Sequence, residues 1–210
     1  MGHKVSPIAF RIPYIKNWGS SWYADKKAYA ASINADNSIR EILKKELAGI
    51  PTGDVKISRT EDNISIDIFT IKASLVLGNN NENLAKIEAL LSSKVNAKVS
   101  INVKEIKKPE LNAKIVAYSI TNQIEKRTPY KKAIKQAIQK TMEKGAKGIK
   151  VKVGGRLNGA EIARAETFKE GSVPTLTIRS DIDYVSARAE TVYGTIGIKV
   201  WIYKGDIFKK

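Results

Sequence analysis

Residues 126–164 read KRTPYKKAIKQAIQKTMEKGAKGIKVKVGGRLNGAEIAR and hold twelve Lys or Arg residues against two Glu. Apolar residues recur at helical spacing over 134–142, Gly145 ends that helix, and apolar residues then alternate over 149–153 as in a strand. A disordered basic tail would lack this apolar period. The stretch therefore predicts a folded surface that lies against a polyanion, and RNA is the first candidate.

The rest of the C-terminal half extends this pattern to two helices packed on an antiparallel sheet. The segment ELNAKIVAYSITNQIEKR predicts a helix that ends before Pro129. Its buried face is predicted to hold Ala113, Ala117, Ile120 and Ile124. Three strands are predicted, in GIKVKVGGRL, TLTIRSDIDYV and TVYGTIGIKVWIYKG. Alternation along the last strand turns Ile196, Ile198, Val200 and Ile202 inward, and Lys199, Trp201 and Tyr203 outward.

In the N-terminal half the sequence predicts an arm over 1–24 and a domain over 25–105, with the C-terminal domain over 106–210 and the junction beside Pro109. Asp36 or Asn37 is expected to cap a helix in SIREILKKEL. VKISRTEDNISIDIFT alternates on both sides of Glu61-Asp62-Asn63 and predicts a hairpin. A second amphipathic helix and the strand AKVSINVKEI follow. We expect the arm to become ordered only when the chain assembles with its partners.

The amino-acid composition excludes several classes of protein. A hydrophobic fraction of 42% excludes disorder for the whole chain, and a formal net charge of +16 favours an anionic partner. The excess is mainly C-terminal, because residues 1–105 carry a net charge of +4 and the rest +12. The absence of Cys excludes disulfides and thiolate metal sites. No apolar run approaches the roughly 20 residues that span a bilayer, so no membrane is expected.

Catalytic, metal and cofactor sites are not predicted. The glycines of GGRLNGAE are not followed by the Lys-Ser/Thr pair of a phosphate-binding loop. Asp181 and Asp183 alternate on one strand, but no His or Cys lies near them in sequence to support nucleophilic or metal chemistry. We therefore expect neither an enzyme nor a small-molecule substrate.

Several ordered motifs resemble the family of ribosomal small-subunit protein three, in its bacterial or organellar form, over essentially the whole chain. The N-terminal pattern consists of Met1, Gly2, Lys4, Val5, Pro7 and Arg11, followed by Trp18 and Trp22. KKPELNAKIVAYSI is similar to the start of the family's second domain. GAKGIKVKVGGRLNGAEIAR, DIDY and YGTIGIKVWIYKG are similar to its most specific C-terminal segments.

The resemblance implies an α+β protein with an N-terminal type II KH domain, followed by the C-terminal domain of two helices on an antiparallel sheet. It implies a structural constituent of the small ribosomal subunit, in the subunit head beside the channel through which messenger RNA enters. The partners would be ribosomal RNA, messenger RNA and neighbouring ribosomal proteins. The ribosome would be of bacterial type, in the cytoplasm or in an organelle. The alternative is a free-standing KH-type RNA regulator or RNA chaperone.

The KH loop implied by the resemblance is Gly78-Asn79-Asn80-Asn81. In KH domains a glycine-bracketed loop lets the nucleic-acid backbone approach closely. Here Asn81 replaces the second glycine, and the middle positions lack the lysine that relatives commonly carry. Because Asn tolerates positive φ better than most residues, we expect the turn to persist. A turn and helix cap is favoured here over phosphate binding.

The predicted RNA contacts form two groups. The resemblance implies that a basic helix contacts messenger RNA, and helps to separate its paired strands, through Lys131, Lys132 and Lys135. Ribosomal RNA contacts are predicted for Lys4, Arg11, Lys126, Arg127, Lys150, Lys152, Arg156, Arg164 and Arg179. Alternation turns Lys150 and Lys152 away from the apolar side of their strand. The alternative role predicted for Arg179 is an ion pair with Asp181.

Overall fold

A computed structural model describes residues 4–60, 63–78, 81–95 and 97–208. They divide into two compact units, one over Trp18–Lys107 and the other over 108–208 together with 4–17. Each unit has its own helices, a four-stranded sheet and an apolar core. The predicted α+β fold class is confirmed.

The first unit has a mixed sheet in the order β1-β2-β3-β4. Its elements are β1 Ser20–Ser21, α1 Tyr29–Glu46, β2 Thr52–Arg59, β3 Asn63–Thr70, α2 Ala73–Leu77, α3 Glu82–Val95 and β4 Lys98–Glu105. Strands β2 and β3 are antiparallel and form the predicted hairpin, whereas β1 and β4 run parallel to their neighbours. Of the predicted turn, Asn63 begins β3, and Glu61 and Asp62 lie outside the described residues.

Helix α1 begins at Tyr29, so the predicted cap at Asp36 or Asn37 is wrong. Asp36 is instead a buried residue inside the helix, where its Oδ2 accepts a hydrogen bond from Trp22 Nε1 at 2.9 Å. A buried carboxylate requires such a partner, because burial removes its hydration. The predicted helical segment SIREILKKEL overlaps the C-terminal part of α1, and the first turns of the helix were not predicted.

The second unit consists of two helices and an antiparallel sheet in the order β6-β5-β8-β7. Its elements are α4 Ala113–Glu125, α5 Tyr130–Glu143, β5 Gly148–Gly155, β6 Arg164–Gly171, β7 Ser180–Thr191 and β8 Gly194–Asp206. This confirms the predicted two helices on an antiparallel sheet, although the described residues contain four strands and not three. Edge strand β6 was missed because most of its residues are exposed and it has little apolar alternation. Strand β7 begins later than the segment TLTIRSDIDYV predicted.

Strand β8 lies in the middle of this sheet and pairs with both β5 and β7. Its predicted inward residues Ile196, Ile198, Val200 and Ile202 are all buried. Lys199 is exposed and Trp201 half-buried, as expected for outward residues. Tyr203 differs, because it is buried and its hydroxyl donates a hydrogen bond to Asp206 at 2.8 Å.

Residues 4–17 belong to the second unit, which differs from the separate arm predicted over 1–24. Arg11 holds them there. Its guanidinium is fully buried and donates hydrogen bonds of 2.6 to 3.4 Å to the carbonyl oxygens of Pro7, Pro174, Thr175, Thr177 and Ser180. Burial lowers the pKa of Arg11, and the negative charge of Asp181 opposes that shift. The carbonyl groups replace the water that the cation loses on folding.

Replacing Arg11 by Lys should destabilise the second unit by about 3 kcal/mol, because one ammonium leaves several of the buried carbonyl oxygens unpaired. Denaturant unfolding should give the free energy, and hydrogen exchange should show the lost protection in residues 174–180. Arg179→Lys is the matched control, since Arg179 forms an exposed ion pair and its loss should cost under about 1 kcal/mol. An unfolding free energy for Arg11→Lys equal to that of the control would contradict the structural role of Arg11.

Asp206 should make the stability of this unit depend on acid pH. Its carboxylate accepts hydrogen bonds from Ser180 Oγ at 2.7 Å, Tyr203 Oη at 2.8 Å and Arg179 Nε at 3.1 Å. The bond from Ser180 is the largest cause of a pKa of Asp206 below its ordinary value. The stabilisation is therefore complete above the unfolded pKa of about 3.9 and is lost as the pH falls through the folded pKa.

The measurement is the thermal midpoint of the chain and of Asp206→Asn as a function of pH. The amide has no charge to titrate, so the variant should be less stable above about pH 5 and the gap should close toward pH 2. Parallel curves for the two proteins would show that Asp206 does not contribute in this way.

Candidate nucleic-acid interface

Helix α5 presents its three predicted messenger-contacting lysines on one exposed flank. If Ile134 marks the direction of the core, a rotation of 100° per residue puts Lys131, Lys135 and Lys132 at about 60°, 100° and 160° from it. All three are exposed, and Lys131 Nζ lies 6.0 Å from the centroid of the Tyr130 ring. Among the described residues, none of the three forms an ion pair. Their ammonium groups are therefore open to an external anion.

The position of these lysines along the helix also favours an anion. Helix α5 starts after Pro129, and no acidic residue stands in its first turn. The amino end of a helix carries partial positive charge, so Asp or Glu usually stabilises it. Lys131 and Lys132 add like charge at that end, which a bound phosphate would neutralise.

Lys150 and Lys152 lie on β5 and face away from the helices, in the predicted direction. Lys150 Nζ lies 5.2 Å from the centroid of the Trp201 ring. Burial lowers the pKa of Lys150, and the charges of Lys4, Lys169 and Lys152 lower it further. Positive charge is thus concentrated on this side of the sheet.

A cleft of about 500 Å³ lies between the α4–α5 turn and the β7–β8 hairpin, and Arg127 and Arg156 both line it. Arg127 has a φ of 62° and an exposed side chain. Arg156 Nε donates to Ala160 O at 2.9 Å, Nη1 donates to Tyr193 O at 3.3 Å, and the guanidinium lies 6.0 Å from the Tyr193 ring centroid. These contacts hold the Arg156 guanidinium in place, so less side-chain entropy would be lost on binding a phosphate.

The remaining predicted ribosomal RNA contacts have different surroundings. Arg164 pairs with Glu166 at 3.3 Å and Arg179 pairs with Asp206 at 3.1 Å. The alternative prediction, a pair between Arg179 and Asp181, is therefore wrong. Because exposed ion pairs are weak, Arg164 and Arg179 both remain available to phosphate.

Lys4 and Lys126 are exposed, whereas Arg11 is not. The carbonyl oxygens around Arg11 use its guanidinium donors inside the second unit. We therefore correct the predicted interface by leaving Arg11 out of it.

The predicted KH loop joins α2 to α3. Gly78 and Asn81 have φ values of 71° and 64°, both in the left-handed region, and Asn79 and Asn80 lie outside the described residues. The φ of Gly78 favours glycine, and a Cβ there would approach Asn83 Nδ2 to 2.6 Å, so the Asn83 side chain would have to move. Asn81 thus adopts the positive φ that we expected asparagine to tolerate.

The aspartates that could have suggested catalysis have structural partners. Asp181 Oδ1 lies 2.9 Å from Lys16 Nζ, and Asp183 Oδ2 accepts a hydrogen bond from the Ala113 backbone N–H at 3.1 Å. Within the part of the chain that the structure describes, no group of three or more His, Cys, Asp or Glu residues is arranged to hold a metal ion. None of the helices described is both long and apolar enough to cross a membrane.

Some of the cations that share a face with Lys150 and Lys152 were not predicted as RNA contacts. Lys169 was missed because β6 was not predicted, and Lys199 was placed outward without a role. Arg188 and Tyr184 lie on β7, whose register against β8 brings them to the same face. The missing information is the strand register, which a single sequence does not specify.

Both units match known families. Residues 38–111 match the model of the KH domain, and residues 120–202 match that of the ribosomal protein S3 C-terminal domain. The small ribosomal subunit protein uS3 of Methylococcus capsulatus is 45% identical over 100% of this chain and 94% of its own length. Those of Marinobacter nauticus and Hydrogenovibrio crunogenus are each 45% identical, over 99% and 100% of this chain and 91% and 92% of their own lengths. The chain belongs to the uS3 family of small ribosomal subunit proteins.

Proposed function

We propose that this chain is a structural constituent of the small ribosomal subunit, in the subunit head, where it binds ribosomal RNA and contacts messenger RNA as that RNA enters. The observation that carries the proposal is the set of exposed or partly exposed lysines on α5 and β5 that form no ion pair with any described residue, on a chain of the uS3 family. Family membership supports the ribosomal assignment, in which this chain would have other ribosomal proteins as neighbours. The lysine geometry supports contact with RNA.

Lysines 131, 132 and 135 fit a messenger that moves. Lys carries a compact charge on a flexible stem and attracts phosphate without fixing its orientation. Phosphate contacts carry no sequence information, which suits a surface over which any messenger passes. On α5 these lysines fan over one flank, so successive phosphates could exchange between them. Strand separation would follow from holding one strand of paired messenger.

The arginines fit ribosomal RNA that stays in place. Arg156 is held by two carbonyl oxygens and the Tyr193 ring, and Arg127 lines the same cleft. A preorganised guanidinium favours a fixed phosphate position and can bind it in a bidentate manner. Lys126, Arg164 and Arg179 would add contacts around these anchors. The KH loop would contribute its turn geometry, with little direct attraction for phosphate.

The ribosomal assignment predicts that the chain is recovered with small subunits, one copy per subunit, in a sucrose gradient at moderate salt. A free-standing RNA regulator would remain near the top of the gradient. The logarithm of the affinity for small-subunit ribosomal RNA fragments should also fall linearly with the logarithm of the salt concentration. Each phosphate contacted should add about 0.7 to 0.9 to the magnitude of the slope. Recovery of the chain only in the free fraction, with intact subunits present, would contradict the assignment.

Replacing Lys131, Lys132 and Lys135 together by Ala should slow translation through paired messenger by roughly threefold or more, equivalent to about 0.7 kcal/mol of barrier. Translation of unpaired messenger by the same reconstituted ribosomes should be nearly unchanged, because no strands need separating. The charge-matched control replaces the exposed Lys44, Lys45 and Lys86 of the first unit by Ala. Equal rates for the two triple variants on paired messenger would refute the role of α5.

A further inference from the structure

The sheet of the second unit has one face against its helices. On its other face, the part beyond the buried Ile182 and Tyr203 is what we call the open face. Strand register places three rows of residues on the open face. Read from β6 to β7, the rows are Lys169–Lys150–Trp201–Tyr184, Thr167–Lys152–Lys199–Ser186 and Ala165–Gly154–Gly197–Arg188. Most of these side chains are exposed, and Lys150, Trp201 and Tyr184 are partly so. The open face is therefore accessible to a partner.

The charge of the open face has one sign. The three rows contain four lysines and Arg188. The carboxylates of β7 lie outside these rows, since Asp181 and Asp183 precede Tyr184 and Glu190 follows Arg188. Lys150 stands directly opposite Lys169, and Lys152 directly opposite Lys199. Like charges in such cross-strand pairs are destabilising. Over the residues that the structure describes, none of these five cations has an ion-pair partner.

The third row contains two glycines, Gly154 and Gly197, which lie directly opposite one another. A Cβ at either position would meet its nearest atom at 3.7 Å, which is ordinary van der Waals contact, and neither residue has a positive φ. Neither packing within the chain nor backbone conformation therefore requires glycine here. Glycine inside a strand weakens the strand and often marks a place where a ligand or another backbone approaches closely.

The first row contains an aromatic pair. The ring centroids of Trp201 and Tyr184 lie 5.1 Å apart with an interplanar angle of 37°. The rings occupy neighbouring positions on the two strands, beside Lys150 and Lys169. Partly exposed aromatic rings beside cations form a stacking surface for unpaired bases.

We propose that the open face binds a single-stranded segment of RNA. The lysine rows bind its phosphates, Gly154 and Gly197 lie against its backbone, and one base stacks on the Trp201–Tyr184 pair. A duplex does not fit this arrangement, because its bases are already stacked and paired. The proposal rests on the proposed function for the identity of the polyanion and deepens it: RNA lies on the open face as well as along α5, on the opposite side of the sheet.

The test uses the full chain labelled with 5-fluorotryptophan and observed by ¹⁹F NMR. The three tryptophans give three resonances, and Trp201→Phe identifies the one of interest. Titration with a ten-nucleotide oligoadenylate should move the Trp201 resonance to saturation. A duplex of the same length should move it at least about tenfold more weakly, since its bases cannot stack on the ring. Trp18 and Trp22, in the first unit, serve as internal references.

Variants of the open face test this site. Gly154→Ala with Gly197→Ala keeps the charge and should weaken the Trp201 titration about tenfold, with little change in the unfolding midpoint. Lys152→Gln with Lys199→Gln should lower the salt slope by about 1.4, or about 0.7 per lost phosphate contact. The charge-matched control, with Lys44, Lys45 and Lys86 of the first unit replaced by Ala, should leave the Trp201 titration unchanged. If the glycine variant unfolds, the Gln pair still decides the question.

Three results would overturn the inference. A Trp201 resonance that does not move while fluorescence anisotropy shows the oligonucleotide bound would place RNA elsewhere and leave the proposed function intact. Tighter binding of the duplex would exclude stacking. A shift of Trp201 at lower concentrations of oligoglutamate than of RNA would instead assign the open face to an acidic segment of a neighbouring protein.

Discussion

The second unit depends on the two-residue alternation of strand β8. Because β8 pairs on both sides, its inward residues form the centre of the core under α4 and α5. The same alternation fixes Lys199 and Trp201 on the other face. A shift of one residue in register would bury Lys199 and expose Val200 and Ile198, at a cost of several kcal/mol for the apolar side chains alone. Stability of the core and position of the cations are therefore specified by one constraint.

Arg11 shows that a cation can have a structural role in a basic protein. The sequence alone does not distinguish Arg11 from the other arginines, and the positive charge of the chain suggested RNA as its partner. Burial decides otherwise, because a guanidinium surrounded by backbone carbonyl oxygens cannot also reach phosphate. The consequence is that residues 4–17 pack as part of the second unit. Net charge indicates the kind of partner and does not identify the residues that contact it.

Local patterns predicted most of the fold. The apolar stripes of α4 and α5, the β2–β3 hairpin and the inward residues of β8 all follow from periodicity. Edge strand β6 could not be found in this way, since only Phe168 among its apolar side chains is packed against the core. Asp36 was misassigned because its partner, Trp22, is distant in sequence and the hydrogen bond that allows its burial is not a local feature.

The candidate site was predicted only in part for the same reason. The lysines of α5 share one helix, so spacing alone places them together. The open face combines four strands, and its two facing lysine pairs and its facing glycines appear only when register is known. Local sequence specifies which side of a strand a residue occupies. Its cross-strand neighbours depend on the assembled sheet.

The distribution of carboxylates explains how so basic a unit both folds and remains open to RNA. Asp181 forms an ion pair with Lys16, and Asp183 accepts a hydrogen bond from the backbone N–H of Ala113 at the start of α4. Glu166 accepts a hydrogen bond from the Tyr130 hydroxyl. Asp206 accepts hydrogen bonds from the hydroxyls of Ser180 and Tyr203. These acids stabilise contacts within the unit, and among the described residues none of them forms an ion pair with Lys131, Lys132 or Lys135 of α5 or with the lysines of the open face. Repulsion among those lysines lowers the stability of the chain, and a bound phosphate would relieve it. On the proposed function, part of the free energy of RNA binding would come from the neutralisation of this charge.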